Sequence, residues 1–391
     1  MELIKKSSLA RRLARSAAWA KRLAQLMVCA SPLFSVLSAV AQQPSALRLS
    51  QRPRFILGAD ERTAFHRVSG GAALSDGTVA VADGGNYRVA VFSASGQLMR
   101  TFGKAGDGPP EFRFISSINT TSDTLIIHDG LRGRTTVWTS AGKYVRGTNL
   151  PRFDRRRAEF QGVIDGDRYV LTIFPPTRQN QRFQRQPASV GVFHSRSGRV
   201  DEHFTQDVRY NLFYAGQGAT TTYRLPYLGS ALFAGFENGY AFVPLDSNVV
   251  QLFDIAGRRT ASIRVPVRQK PFDQTAAGAY RDSLLKISGT RTAHRVRAAF
   301  QQMPTIDRAP SVSKMINIGG ELWIQKFPER GQSVQTWYVI DPAKRSVIGE
   351  ISFPTELRLL GGNRALLLLL RRDDLGVETI EGYSLLRSTR G

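Results

Sequence analysis

Between Asp76 and Gly103 the apolar positions fall into three short runs, Thr78–Ala82, Arg88–Phe92 and Gln97–Phe102, separated by the polar and glycine-rich segments around Asp83-Gly84-Gly85-Asn86 and Ser93-Ala94-Ser95-Gly96. Runs of about five residues rich in Val, Ala and Phe and bounded by Gly, Asn, Asp and Ser predict β-strands joined by tight turns. The same frame returns 46 residues later: Asp83 becomes Asp129, Gly84 becomes Gly130, Arg88 becomes Arg134, Phe92 becomes Trp138 and Gly96 becomes Gly142. Five matches at one offset mark an internal repeat, and a repeat decides the architecture before any single element does.

An apolar pair followed by a turn recurs four more times: Val192-Phe193 before Gly198, Leu252-Phe253 before Gly257, Val339-Ile340 before Asp341-Pro342, and Gly382-Tyr383. Glycine or Asp-Pro at these points lets the chain reverse between the third and fourth strands of each unit. The sixth copy reaches its third strand near Glu381–Leu386, with too few residues after it for a fourth. The early segment Leu47-Arg48-Leu49 to Phe55-Ile56-Leu57-Gly58 ends as a fourth strand does, in the manner of Met99–Gly103. Supplying the missing strand from there would close a ring and hide the open sheet edges. The expected fold is therefore all-β: a six-bladed β-propeller of four-stranded antiparallel blades, closed by an N-terminal strand in the last blade.

The stretch Val79–Gly103 resembles an NHL repeat, with Ala82-Asp83, Asn86, Arg88, Val91-Phe92, Gly96 and Thr101-Phe102-Gly103 at family positions. Gly103-Lys104-Ala105-Gly106-Asp107-Gly108-Pro109-Pro110-Glu111-Phe112 resembles the inter-blade linker of bacterial exported six-bladed propellers. Residues Ala64 to Thr148 carry this resemblance; the later units follow from spacing. It implies a rigid scaffold that recognises a peptide, glycan or protein partner without itself doing chemistry. The recurring Asp83, Asn86, Arg88, Asp129 and Arg134 are expected to pin the turns between second and third strands.

The N-terminus changes the picture of location. Residues Met1–Gln25 carry seven basic residues against Glu2, an apolar run Leu26–Val40 follows, and Ala39-Val40-Ala41 precedes Gln42. These are the parts of a secretory signal at 1–41, cleaved between Ala41 and Gln42. An uncleaved anchor, or a gene start placed too early before Met27, is the alternative. The expected product is one domain, 42–391, that is periplasmic, outer-surface or secreted, with membrane contact only through the signal segment. The single cysteine, Cys29, lies inside that signal, so the domain would hold no disulfide or zinc–thiolate site.

Lys and Arg number 54 against 31 Asp and Glu, a formal net charge of +23. Residues 1–41 hold seven of the bases and one of the acids, so without them the charge is +17. That excess favours anionic partners. The absence of any nucleic-acid motif argues against DNA or RNA.

In a four-stranded antiparallel blade, the turn between strands two and three and the link to the next blade emerge on one face. Every long insertion belongs to that class: Pro151–Glu159, Phe174–Ala188, Thr205–Leu228 and Val267–Met303. Long loops on one rim of a rigid scaffold are where binding usually sits. Two of them carry clustered arginines, Arg155, Arg156 and Arg157 in one and Arg178, Arg182 and Arg185 in the other. Their planar forks suit carboxylate, sulfate or phosphate oxygens; a solvated basic surface is the plainer alternative. Residues of about 272–303 are predicted helical, with Tyr280, Leu284 and Ile287 on one face, Val296, Ala299 and Phe300 on another, and a break at Gly289. They form either a lid over the rim or packing against blades four and five.

No catalytic residue, cofactor or metal site is expected. His66, His128 and His194 are spaced as if one per blade, yet they fall on different strands and so at different radii. No nucleophile elbow, phosphate-cradling glycine loop or calcium loop is present. A channel-centred hydrolase or lyase, lactonase-like or metal-dependent, and an electrostatic binder of acidic envelope polymers remain the alternatives.

Overall fold

Alternate residues of the same strand feed different hydrophobic cores, and this organises the whole chain. The computed structural model describes residues 45–391 except 61–62, 122–123, 177–182, 217–218, 225–227, 302–305, 330 and 388–391. The expected signal segment at 1–41 with its Ala41/Gln42 cleavage point and Cys29 lies outside these residues, as do Arg178 and Arg182.

The chain is mostly strand, in chain order β1 (Ser45–Leu49), β2 (Phe55–Leu57), β3 (Val68–Ala73), β4 (Val79–Asp83), β5 (Arg88–Phe92), β6 (Leu98–Phe102), β7 (Lys104–Ala105) and β8 (Glu111–Phe112). Then come β9 (Ile115–Thr121), β10 (Thr124–Asp129), β11 (Arg134–Thr139), β12 (Tyr144–Asn149), β13 (Arg157–Val163), β14 (Arg168–Phe174), β15 (Phe183–His194), β16 (Val200–Gly216) and β17 (Ala219–Arg224). The rest are β18 (Leu232–Phe236), β19 (Gly239–Val243), β20 (Val249–Asp254), β21 (Arg259–Arg264), β22 (Val312–Ile318), β23 (Glu321–Lys326), β24 (Val334–Asp341), β25 (Ser346–Pro354), β26 (Leu357–Gly362), β27 (Leu366–Arg372) and β28 (Glu378–Arg387). One helix, α1 (Gln274–Phe300), separates β21 from β22.

Strands β3–β6, β9–β12 and β18–β21 form four-stranded meanders, and β13–β17 a five-stranded one. Strands β22–β25 and β26–β28 are two further meanders, joined through β1 into a nine-stranded sheet. β1 lies between them, parallel to β25 (Ser45 opposite Gly349) and antiparallel to β28 (Leu47 opposite Arg387). β2 also pairs with β28.

In β4, Val79 and Val81 enter a core shared with β26–β28, whereas Ala80 and Ala82 enter one shared with β9–β12. In β27, Leu366, Leu368 and Leu370 face the β3–β6 sheet, and Leu367 and Leu369 face β22–β25. A period of two with both faces apolar reads as a continuous hydrophobic run, which is why Leu366–Leu370 is a strand buried on both sides rather than a helix. Three more cores join β9–β12 to β13–β17, β13–β17 to β18–β21, and β18–β21 to β22–β25. Each sheet thus shares one core with the sheet before it and one with the sheet after it. The outermost strands β6 and β12 are half exposed.

The turns between third and fourth strands are minimal. Gly96, Gly142 and Gly257 adopt φ of +86°, +79° and +78°, a left-handed conformation available to glycine at little cost. In the turn after Asp341-Pro342, Arg345 takes that conformation (φ +54°).

Two insertions differ from expectation. β15 begins at Phe183 rather than after Ala188, and Thr205–Leu228 is largely strand, a hairpin of β16 and β17. The β-branched and aromatic run Thr220-Thr221-Thr222-Tyr223 explains this: it favours a pleated ribbon over a loop. The helix is interrupted at Gly289 (φ 59°, ψ 176°). Ala299 and Leu228 are buried together beside Tyr210, Tyr280 and Phe300, so α1 packs on the β16 side. Ile287, expected to share a face with Tyr280 and Leu284, is 82% exposed, two residues before the break.

Candidate functional site

The turns between second and third strands and the links between sheets share one edge of the molecule, here called the link face. Backbone hydrogen bonds tie them directly: Gly85 N to His66 O (2.6 Å), Gly130 N to Phe114 O (3.0 Å), Leu150 N to Gly133 O (2.7 Å) and Phe327 N to Ser311 O (2.9 Å). Gly85 comes so close to His66 that a Cβ there would stand 2.5 Å from its carbonyl oxygen.

The repeated aspartates anchor this edge. Asp83, fully buried, accepts from His66 N (2.9 Å), Asn86 Nδ2 (2.8 Å) and Arg88 Nε (2.9 Å). Asp129, equally buried, accepts four backbone N–H groups, from Arg113 (2.7 Å), Phe114 (3.2 Å), Leu131 (3.1 Å) and Arg132 (3.1 Å). Each carboxylate therefore fastens its own turn to the incoming link. The second Asp/Arg pair is not a copy of the first. Arg134 donates to the carbonyls of Asp107 and Glu111 instead, because four N–H groups already occupy Asp129.

Exposed large hydrophobic side chains are unevenly placed. Tyr87, Phe114, Leu131, Val334, Leu375 and Val377 sit in or beside the link-face turns, and Ile287 is on the inserted helix. Leu131 is 72% and Leu375 90% exposed. The remaining ones, Ile56, Leu98, Met99, Val145 and Leu386, are on peripheral strands. Of these, Leu98 and Val145 stand beside turns of the opposite face, at the starts of β6 and β12.

The candidate arginines do not converge. Arg156 pairs with Glu202 (2.8 Å) and covers the Phe153 ring; Arg157, already within β13, pairs with Glu159 (2.8 Å) and lies over Phe174. Arg185 is 3.7 Å from Asp246 and stacks on Tyr210. Arg155 is 82% exposed, 4.0 Å from Asp154. Glu159 also takes both amino groups of Arg209, at 3.0 and 3.2 Å. Of the candidate anion-binding arginines, Arg156, Arg157 and Arg185 are thus paired with carboxylates of their own chain.

The cations that sequence reasoning missed lie on innermost strands. Lys314 of β22 donates to Leu359 O across the gap between sheets (3.3 Å), and Arg358 of β26 donates to Val68 O of the next sheet. Neither forms an ion pair among the described residues. Burial, and then the charge of Arg358, pull the Lys314 ammonium down to about 8. In the sequence Lys314 is one polar position in Ser313-Lys314-Met315, with nothing to single it out.

The histidines are separately engaged. His128 is buried, its Nδ1 within 3.1 Å of Thr135 Oγ1 and its ring stacked on Phe160 at 4.3 Å. His194 pairs with Asp201 (2.9 Å) and His203 with the Tyr240 hydroxyl (2.8 Å). Among the described residues no three potential metal ligands come together, and no helix is long and apolar enough to cross a membrane. An open cavity of about 500 Å³ lies on the opposite edge, lined by Asp165, Asp167, Arg168, His194 and Arg196. Its acids are consumed by Arg168, Arg146 and Arg196, so it reads as an ionic network closing two turns.

Burial holds His128 down at about 4, against the opposing pull of Asp129. The unfolded chain therefore binds this proton more readily than the fold, and stability falls as pH drops from 6.5 through 4. The loss attributable to this one ring should approach about 3 kcal/mol. Urea unfolding of wild type and His128→Gln at pH 7 and pH 4 checks it: the acid-induced loss should be smaller in the variant by that amount, and equal losses would refute it.

No family model matches the sequence. No curated protein matches it either. Among solved structures the chain is similar to a member of the DUF4221 family from Bacteroides vulgatus (10% identity, TM-score 0.52, covering 88% of this chain and 100% of that one). It is also similar to a Bacteroides fragilis protein described as exported (12%, TM-score 0.48, 88% and 96%) and to virginiamycin B lyase from Staphylococcus aureus (11%, TM-score 0.38, 87% and 100%). At such identities the likeness speaks to fold alone, and the shared fold is a β-propeller.

Proposed function

We propose that this chain is an exported six-bladed β-propeller of NHL type, one domain from residue 42, closed by β1 and β2 in its last blade. In this reading it is a non-catalytic docking module whose link face recognises an anionic peptide, glycan or protein. The observation that supports it is the greater number of exposed large apolar side chains at the link face: among the described residues Tyr87, Phe114, Leu131 and Leu375 stand in its turns and links, whereas Leu98 and Val145 lie beside the turns of the opposite face. Apolar anchors on a chain of net positive charge suit a partner that offers both hydrophobic groups and negative charge.

The test is photo-crosslinking in the producing cell. A benzophenone amino acid replaces Tyr87, Phe114 or Leu131 in three variants and Ser93 or Thr139 on the opposite face in two more. Discrete adducts from the first three and none from the other two are expected. Equal labelling from both faces, or none from the link face, would sink the assignment.

A further inference from the structure

We infer that the inserted helix α1 is an anchor to a membrane surface, its apex resting on a bilayer that contains anionic lipid. Tyr280 and Phe300 bring their ring centroids to 6.4 Å, whereas a straight helix would hold residues so spaced about 30 Å apart. The chain therefore doubles back between them, at Gly289, where φ 59° and ψ 176° leave the helical region. α1 is a hairpin of two helical arms with Lys286, Ile287 and Gly289 at its apex. Both arms are shorter than the roughly 20 residues that a span requires, so contact with a bilayer is at its surface.

The two ends of this hairpin differ in their surroundings. At the base, Ala299 and Leu228 are buried beside Tyr210, Tyr280 and Phe300. The apex stands about 13 Å beyond the level of Tyr280, at the rise of an α-helix. There Ile287 is 82% exposed, and Lys286 and Gly289 are exposed with it. Beyond its own stretch of helix, a Cβ on Gly289 would find no heavy atom within 4 Å. A lid closed over the rim would bury its apex against the sheets. This apex projects into solvent.

Charge says what the apex meets. Between Gln274 and Phe300 the sequence holds Arg281, Lys286, Arg291, Arg295 and Arg297 against one acid, Asp282. That acid is already held by Arg281 at 2.9 Å. Half-buried Leu284 and Leu285 and exposed Ile287 flank Lys286. Aliphatic side chains beside a lysine suit the boundary of a bilayer: they enter its apolar edge while the ammonium stays among the phosphates. Further basic residues nearby add attraction when the lipid is anionic. A protein partner would ask for aromatic anchors and about 800 Å² of matching surface. The tip Leu284–Gly289 has no aromatic residue and is too small for that.

Co-sedimentation of the chain from residue 42 with sucrose-loaded vesicles tests this, one set made of phosphatidylglycerol and phosphatidylethanolamine, the other of phosphatidylcholine alone. Binding should saturate on the first set, be about tenfold weaker on the second, and weaken as salt is raised. Ile287→Asp and Lys286→Glu change exposed side chains, so both variants should melt as wild type does and each bind the anionic vesicles about tenfold less well. A polarity-sensitive dye on Ile287→Cys should report an apolar environment on those vesicles, and the same dye on Ser95→Cys, in a turn of the opposite face, should not. No saturable binding, binding that Ile287→Asp leaves unchanged, or a dye at 287 that stays in water would overturn the anchor. Protein adducts from a photo-reactive residue at 287, without vesicle binding, would assign the apex to a protein instead. Tyr87, Phe114 and Leu131 lie outside the hairpin, so the docking face and the anchor can fail separately.

Discussion

Removing residues 45–57 is expected to abolish cooperative unfolding of the protein or lower its midpoint by tens of degrees. Leu47, Phe55 and Leu57 are nearly fully buried in the cores on either side of the last meander. Burying each such side chain contributes about 1.5–3 kcal/mol, so the three together approach the whole net stability of an ordinary domain, about 5–15 kcal/mol. The deletion also strips β28 of its outer neighbour and β25 of its parallel partner, leaving edges that invite self-association. Calorimetry with light scattering on the truncated protein checks both effects, and a peptide of residues 45–57 added in trans should restore part of the loss. A truncated protein that melts within a few degrees of the intact one, as a monomer, would refute the closing role.

Asp129→Ala should be the most damaging single polar substitution on the link face, by about 3–5 kcal/mol. Four backbone N–H groups lose their acceptor at once, in a site closed to water, and each buried donor left unpaired costs on the order of 1–3 kcal/mol before relaxation. Asp254→Ala is the control. Asp254 likewise accepts the N–H groups of Ala256 and Arg258, but in a turn where water can replace it. Chemical denaturation should show a loss there that is a small fraction of the first. Equal losses at the two positions would mean that accessibility, and not the count of donors, had been misjudged.

The strand frame was legible because it depends on local pattern. Glycine at 96, 142 and 257 marks the reversals, and the apolar runs between them have the length of strands. The hairpin of β16 and β17 was read as a loop because Thr205–Leu228 falls between two units of the repeat and its apolar residues do not alternate, its strand character lying in β-branched and aromatic residues. The link face could be named from topology alone. The chemistry on it could not. Arg156 meets Glu202, Arg185 meets Asp246 and Arg209 meets Glu159 across long stretches of chain, so a run of arginines looked free when its partners were far off in sequence. Lys314 and Arg358 were invisible for the converse reason: their neighbourhood exists only once two different meanders stand side by side. Asp83 and Asp129 were recognised as structural from recurrence, but only the first keeps its arginine.

Because Leu47 pairs with Arg387, the first strand cannot find its place until almost all of the sequence behind it is available. During synthesis the early meanders can assemble in order while β1 waits with its hydrogen-bonding groups uncommitted. The last step joins residues at opposite ends of the polypeptide and carries the largest loop-closure penalty in the molecule. A nascent chain stalled before β28 would thus be a set of nearly finished sheets with no latch, a natural substrate for chaperones or proteases.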